Sequence, residues 1–183
     1  GLGAMSFTNF YGSCTDEESA DVLSACLDLG VKHIDTSNVY GMGVSEQRIG
    51  AFLARQGSQK YSLFNIATKA GICRDLEKGT RGFDNSAEHL EAELDKSLAR
   101  MGIDCVDLFY VHRRQPEIPI EEVAGSLGRL VEKGKTNPQN FWIDIEIKGN
   151  KHRSPETWDA KEVWPQIYKY YKYYYDKHRN SIP

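Results

Sequence analysis

The sequence of 183 residues lacks several features that mark whole classes of protein. No apolar run approaches the ~20 residues of a membrane-spanning helix, and the first residues lack the basic start and apolar centre of a signal peptide. The four cysteines are scattered without a CxxC pair, which does not indicate a disulfide framework or a zinc site. A net charge of −3 does not indicate a nucleic-acid surface. We therefore expect a cytoplasmic protein with reduced thiols and neither a membrane nor a nucleic-acid partner.

Familiar nucleotide and metal motifs are missing as well. The chain has no P-loop, and its GxGxxS start at residues 1–6 follows no strand and falls one residue short of the dinucleotide fingerprint. The HxD triplet at 33–35 has no further ligand at a suitable spacing, so no metal is predicted. The Lys- and Tyr-rich run at 168–177 has the composition of a surface that stacks on single-stranded nucleic acid. An amphipathic packing helix, or a frame-shifted tail, explains that run better.

What the sequence does contain is a repeated alternation of strands and helices. The predicted strands are a short apolar entry at 2–5 and runs at 31–35, 61–69 and 105–112, and the predicted helices cover 16–29, 45–55, 87–101 and 121–133. Residues 71–83 are predicted to form a polar loop. Strand–helix repeats with short connections favour a parallel sheet with right-handed crossovers. Apolar periodicity alone does not distinguish a closed barrel from an open doubly wound sheet.

Local signals mark several helix ends. Thr15 and Glu18 have the spacing of a capping box, and Gly30 suits the position just after that helix. Ser86 is predicted to cap the third helix, and Gly102 to stop it.

The composition changes near Thr136. Residues 1–136 carry a net charge of −5, whereas residues 137–183 carry +2 together with all three Trp and six of the ten Tyr. The second segment predicts a strand over 141–148 and then a helix from Ser154 to about 178, which Pro165 should kink. We interpret residues 1–136 as one unit and 137–183 as a divergent aromatic-rich tail, either a native adaptation or the product of a frame shift or gene fusion.

Three predicted strands end in a polar residue that packing does not require, namely Asp35, Lys69 and His112, and Tyr40 follows five residues after the first. The carboxyl ends of parallel strands share one rim, where active sites of α/β proteins lie. Each residue alone has a structural explanation: the Asp as a helix cap, the Lys as a solvated side chain and the His as part of a basic loop. Their joint placement favours a chemical role.

The chemistry of these four groups is complementary. A phenol is a weak acid at neutral pH, and an ammonium beside it favours its ionised form. A carboxylate keeps the ammonium charged and oriented, and a neutral imidazole donates a hydrogen bond to a substrate oxygen. Together they predict a proton donor for a carbonyl group that receives a hydride.

Several segments of the chain carry a family resemblance. DTSNVYGMGVSE at 35–46 resembles the aldo-keto reductase motif D-T-A-x-x-Y-G-x-G-x-S/N-E. ATKAG at 67–71 is similar to the lysine strand of that family, and DLFYVHR at 107–113 to its histidine strand. GFDNSAEHL at 82–90 and PEIPIEE at 116–122 also resemble family segments. The resemblance covers about residues 1–135.

The resemblance implies an α/β fold of the parallel (β/α)8 barrel type, here incomplete, with about four strand–helix units followed by the strand–helix tail. It implies NADPH-dependent reduction of an aldehyde or ketone, with Tyr40 as the general acid. Asp35 would border the nicotinamide, and the backbone near Ala4 and Met5 would approach its ribose. The implied catalytic residues are Asp35, Tyr40, Lys69 and His112.

The length of the chain leaves an alternative open. A (β/α)8 barrel typically needs ~250 residues, and no second half of the family pattern is recognisable after Lys135. The alternative is a truncated, catalytically impaired half barrel that acts as a non-enzymatic binding or oligomerising protein. It would self-associate through exposed sheet edges or the Tyr-rich helix.

Overall fold

The computed structural model describes residues 1–75, 80–137 and 141–144, and for residues 74–75, 80–81 and 141–144 it describes the backbone. The predicted helix from Ser154, and the predicted strand beyond Asp144, lie outside the described residues. None of the described helices is long and apolar enough to cross a membrane.

The described part of the chain contains seven strands and five α-helices. The strands are β1 (Leu2–Gly3), β2 (His33–Asp35), β3 (Asn65–Ala70), β4 (Ile72–Asp75), β5 (Thr80–Phe83), β6 (Leu108–His112) and β7 (Phe141–Asp144). The helices are α1 (Asp16–Asp28), α2 (Val44–Ala54), α3 (Lys60–Leu63), α4 (Ala87–Met101) and α5 (Ile120–Glu132). Short 3-10 turns cover Ala4–Phe7, Tyr40–Gly43 and Gly57–Gln59.

Five strands form one parallel sheet in the order β1-β2-β3-β6-β7. This is also their order along the chain. When the strand order does not reverse, right-handed crossovers place successive helices on the same face of the sheet. Neighbouring helices accordingly contact one another, α1 with α2, α2 with α4 and α4 with α5. A doubly wound sheet reverses its strand order. The sheet is therefore a barrel-type segment, and the predicted α/β fold is confirmed for the described residues.

Buried apolar side chains of strands and helices form one cluster. The strands contribute Ile34, Ile66 and Phe109, and the helices contribute Leu23 and Leu94, among others. Burying a side chain of this size stabilises the fold by about 1.5–3 kcal/mol. This core fixes the sheet, so that the carboxyl ends of its strands hold polar residues in a defined geometry.

The predicted helix ends are confirmed where local chemistry specifies them. The Thr15 hydroxyl accepts from Glu18 N at 3.1 Å, and the Glu18 carboxylate accepts from Thr15 N at 2.7 Å, which completes the capping box. Gly30, with φ of 69°, follows α1 in the left-handed conformation. Ser86 caps α4 by accepting from the backbone N–H of His89.

Two local predictions were wrong. The strand expected over 61–69 begins only at Asn65, because Lys60–Leu63 forms a helical turn and Tyr61 lies 59% exposed on the surface. The loop expected over 71–83 is an antiparallel hairpin of β4 and β5. Its two strands have four residues each and include polar side chains, so the sequence shows no clear alternation of apolar and polar residues there. Gly71, with φ of 120°, turns the chain out of β3, and its carbonyl accepts from Asp84 N at 2.9 Å to close the hairpin base.

Candidate active site

The parallel register brings the predicted residues to one end of the sheet. Asp35 ends β2, Lys69 lies one residue before the end of β3, and His112 ends β6. These three strands are direct neighbours in the sheet. Tyr40 lies in the 3-10 turn that leads from β2 towards α2. The structure therefore places all four side chains at the same rim.

The ammonium of Lys69 is the centre of the site. Its Nζ donates to Asp35 Oδ1, to the backbone oxygen of Thr36 at 2.8 Å and to the hydroxyl of Tyr40 at 3.3 Å. The three donors of an ammonium thus each have an acceptor. Lys69 is only 8% exposed, whereas the Asp35 side chain is 32% exposed. The lysine is held in one orientation with its charge directed at the phenol.

The position of Tyr40 depends on the turn that it begins. Gly41 has φ of 60°, and a Cβ there would lie 2.9 Å from Thr8 Cγ2. A larger residue there would be strained by the backbone conformation and crowded against Thr8. The half-buried Tyr40 ring has its centroid 4.9 Å from Lys69 Nζ. It meets the His112 ring edge-on, with centroids 6.2 Å apart.

The imidazole of His112 is oriented by a residue that the sequence did not reveal. Its Nδ1 lies 3.1 Å from the hydroxyl of Ser37, which is fully buried. The same hydroxyl lies 3.3 Å from the backbone oxygen of Lys69. A hydrogen bond at one ring nitrogen fixes the orientation and tautomer of the other. The only sequence signal was the place of Ser37 two residues after the end of the strand.

A second buried layer supports the site and was also missed. Glu46 has no exposed surface, and its two carboxylate oxygens accept from Thr68 Oγ1 and from Arg100 Nε, each at 2.6 Å. A buried carboxylate is stable only when it is paired and hydrogen-bonded. The Arg100 side chain also packs on the turn, since a Cβ at Gly43 would lie 2.7 Å from Arg100 Cδ. This pair ties α4 to α2 immediately after the Tyr40 turn.

The two residues expected near a cofactor lie in the turn after β1. Gly3 pairs with Asp35, so Ala4 and Met5 follow at the same end of the sheet. The carbonyl of Ala4 accepts from Ser45 Oγ at 2.8 Å, and Ala4 has no exposed surface. Met5 is half-buried. Of the two, only Met5 has surface that a ligand would touch.

The groups that meet at this rim are a phenol, an ammonium, a carboxylate and an imidazole. Among the described residues, no three His, Cys, Asp or Glu side chains converge in a way that would hold a metal ion. A phenol beside a fixed ammonium can release a proton to a nearby oxygen while the ammonium stabilises the resulting phenolate.

Comparison with known proteins shows which family this sequence is related to. Residues 1–137 match the Aldo/keto reductase family. The aldo-keto reductase yakc of Schizosaccharomyces pombe, whose name carries NADP(+), is 41% identical over 135 residues, which are 74% of this chain and 39% of yakc. The L-glyceraldehyde 3-phosphate reductase of Escherichia coli K12 is 38% identical over 121 residues, 65% of this chain and 34% of that protein. The chain thus spans well under half the length of these curated relatives.

Solved structures give the same relationship. A putative aldo-keto reductase from Pseudomonas aeruginosa is 30% identical, with a TM-score of 0.64 over 78% of this chain and 53% of that one. An aldo-keto reductase from Bacillus halodurans in its holo form has a TM-score of 0.68 at 21% identity, over 93% of this chain and 58% of that one, and shows the shared fold. The motif, the sheet and these matches agree: the chain belongs to the aldo/keto reductase family.

Proposed function

We propose that the protein is an oxidoreductase that reduces a small aldehyde or ketone with NADPH, and that Tyr40 is its general acid. The observation that carries the proposal is the Lys69 ammonium, which is held between the Asp35 carboxylate and the Tyr40 hydroxyl. The curated relatives support the reaction class, since their names describe reductases and, for yakc, NADP(+).

The proposed roles follow from the charge that develops at the carbonyl oxygen. When a hydride reaches the carbonyl carbon, the oxygen becomes basic and takes the Tyr40 proton. Lys69 stabilises the phenolate that remains, and Asp35 holds Lys69 in place through a hydrogen bond. His112, held at Nδ1 by Ser37, orients the substrate oxygen beside the phenol.

The described residues fit the end of NADPH that meets the substrate. NADPH, when bound, supplies the hydride. The partly exposed Asp35 is proposed to border the nicotinamide, and Met5, with the backbone next to Ala4, to lie towards its ribose. This donor set, one acid with a fixed ammonium, is what a carbonyl needs in addition to a hydride.

The test is the loss of NADPH absorbance with 4-nitrobenzaldehyde, measured for the whole chain and for Tyr40→Phe. General acid catalysis contributes about 10²- to 10⁴-fold, so we expect kcat to fall by at least about 100-fold. Tyr61→Phe is the matched control, because Tyr61 is exposed and its hydroxyl donates to the exposed Asp104, away from the four rim residues. Equal rates for the wild type and Tyr40→Phe would overturn the proposal.

A second candidate is a protein that binds NADPH or carbonyl compounds, or oligomerises, without turnover. Its supporting observation is that β1 and β7 each have one neighbour in the described sheet. Open sheet edges favour pairing with another chain. Light scattering after gel filtration tests it: a dimer that binds NADPH but shows no Tyr40-dependent rate would favour this candidate, and an active monomer would exclude it.

We also propose that residues 1–136 are the N-terminal half of a barrel and residues 137–183 a divergent tail, whose first strand, β7, pairs with β6 in the sheet. The family match, which ends at residue 137, supports this division. A cytoplasmic location is proposed because the four cysteines are unpaired thiols in the structure. Cell fractionation would test the location.

A further inference from the structure

A cleft of about 300 Å³ lies beside the Tyr40 turn and is separate from the proposed proton donor. Val39 and Met42 line it from the turn, Ile72 and Cys73 from β4, and His89 from α4. None of these residues belongs to the four-residue rim site. The cleft therefore joins three apolar side chains and four polar or charged ones, Asn38, Glu93, Lys96 and Arg100, to a thiol and an imidazole for which the proposed function has no use.

The thiol, the imidazole and a carboxylate follow one another in space. Cys73 Sγ lies 3.5 Å from Nε2 of His89, and Nδ1 of His89 lies 3.8 Å from Oδ2 of Asp84. A carboxylate facing Nδ1 favours the tautomer that carries its proton there, which leaves Nε2 to accept. A nucleophile beside a base, with a third group orienting the base, is the arrangement of nucleophilic catalysis.

The hairpin and the helix that follows it produce this arrangement. Asp84 comes directly after β5, where its backbone N–H closes the hairpin base. Its Oδ1 then accepts from Ser86 N at 2.8 Å. Ser86 caps α4, which places His89 in the first turn of that helix, facing back towards β4. The three groups are therefore positioned by backbone hydrogen bonds.

Cys73 lines the cleft and has partly exposed surface. Cys73 is half-buried and pairs with Gly82 across the hairpin. A Cβ added at Gly82 would meet no atom of the described residues within 4 Å. Paired residues of an antiparallel hairpin project to the same face. A small molecule therefore has a route to the sulfur that no side chain of Gly82 obstructs.

We propose that Cys73 is a nucleophilic site for α,β-unsaturated aldehydes and ketones, with His89 as its general base and Asp84 as the residue that orients His89. The sulfur forms a bond to the β-carbon, and the π electrons of the C=C bond move towards the carbonyl oxygen. The thiol proton passes to His89 Nε2 and then to the α-carbon. No group leaves, and no oxidant or reductant is consumed. The proposal is independent of the reductase function.

The surrounding charges explain why a base is needed. Burial raises the pKa of the Cys73 thiol, and so do the nearby carboxylates of Asp84 and Glu93. The sulfur is therefore protonated at neutral pH. The two cations that also line the cleft, Lys96 and Arg100, are each paired with a glutamate. Proton transfer to His89, rather than a preformed thiolate, activates the sulfur.

Acrolein addition to the whole chain, without NADPH, tests the proposal by peptide mass spectrometry at each cysteine. Cys105 is the internal control. The residue as a whole is exposed, and its thiol contacts the Val106 carbonyl. Partial desolvation of the sulfur and two nearby aspartates raise its pKa, as similar causes do for Cys73. We expect Cys73 to react at least about tenfold faster than Cys105 at pH 7, since general-base assistance contributes about 10²- to 10⁴-fold when well aligned. An equal or faster reaction at Cys105 would overturn the proposal.

The variant His89→Gln should slow Cys73 at least about tenfold and give it the steep alkaline pH dependence of an unassisted thiol, with Cys105 unchanged. Asp84→Asn, which keeps an acceptor for Ser86, should slow Cys73 by less. An unchanged Cys73 rate and pH profile in His89→Gln would refute a base. If the buried Cys26 also reacts in His89→Gln, that variant is partly unfolded. Asp84→Asn then replaces it as the test, and an unchanged Cys73 rate and pH profile in Asp84→Asn would refute a base. Tyr40→Phe should react as the wild type does.

Discussion

Replacing Arg100 by alanine should destabilise the protein more than the loss of an exposed ion pair would. Arg100 Nε donates to Glu46 at 2.6 Å, and the Glu46 carboxylate has no exposed surface. Without the guanidinium, the carboxylate keeps only its hydrogen bond from Thr68. An unpaired buried charge must then be tolerated or protonated, and both cost free energy.

The size of the effect follows from burial. Breaking a buried ion pair by removing one partner costs about 3–5 kcal/mol. The Arg100 side chain is 21% exposed, so water that enters its place should keep the loss near the lower end of that range. Lys96→Ala is the matched control, because it breaks an exposed pair with Glu93 on the same helix. Exposed pairs are worth about 0.2–1 kcal/mol.

Urea unfolding followed by circular dichroism measures both variants. At an unchanged slope, we expect the free energy of unfolding to fall by about 3 kcal/mol for Arg100→Ala and by less than about 1 kcal/mol for Lys96→Ala. A double variant, Glu46→Gln with Arg100→Met, should recover part of the loss, because no buried charge remains. Equal losses in Arg100→Ala and Lys96→Ala would refute the reasoning.

Two further predictions concern close packing and pH. Gly50→Ala should destabilise by more than about 1 kcal/mol, because its Cβ would lie 2.3 Å from the carbonyl oxygen of Arg100. Gly125→Ala on α5, whose Cβ would make an ordinary contact at 3.8 Å with the flexible end of Arg129, should stabilise by roughly 0.5–1 kcal/mol; a loss at both positions in thermal melts would contradict this. Hydrogen bonds from Lys133 and Lys135 lower the pKa of Glu91 from its usual 4.5 to about 2. The ion pairs of Glu91 with Lys133 and Lys135 therefore stabilise the fold above pH 4.5, each by about 0.2–1 kcal/mol. The stability difference between wild type and Glu91→Gln should shrink as the pH falls towards 2; a constant difference would refute this.

The parts of the fold that the sequence predicted are those set by local chemistry. The capping box at Thr15 and the Ser86 cap depend on residues three apart, and the helices and parallel strands on short apolar periods. The rim residues Asp35, Lys69 and His112 were recognisable because each lies near the end of an apolar run. Consecutive strand order needed the structure, because periodicity does not encode which strands pair.

The parts that were missed depend on distant contacts. Ser37 meets His112 across 75 residues, and Glu46 meets Arg100 across 54. Each is an ordinary polar residue in its local sequence, and only folding shows its partner. The hairpin at 72–83 was missed for a related reason, since cross-strand pairing rather than an apolar pattern defines it. The Cys73 cleft follows from that hairpin.

We propose that Tyr40 and Lys69 act as one proton-donating unit, and a double-mutant cycle tests this directly. The kcat for carbonyl reduction is measured for Tyr40→Phe, for Lys69→Met and for the double variant, in the NADPH assay. Groups that act together give strongly non-additive losses. We expect the kcat of the double variant to be no lower than that of the less active single variant. Losses that multiply, as for two independent groups, would contradict it.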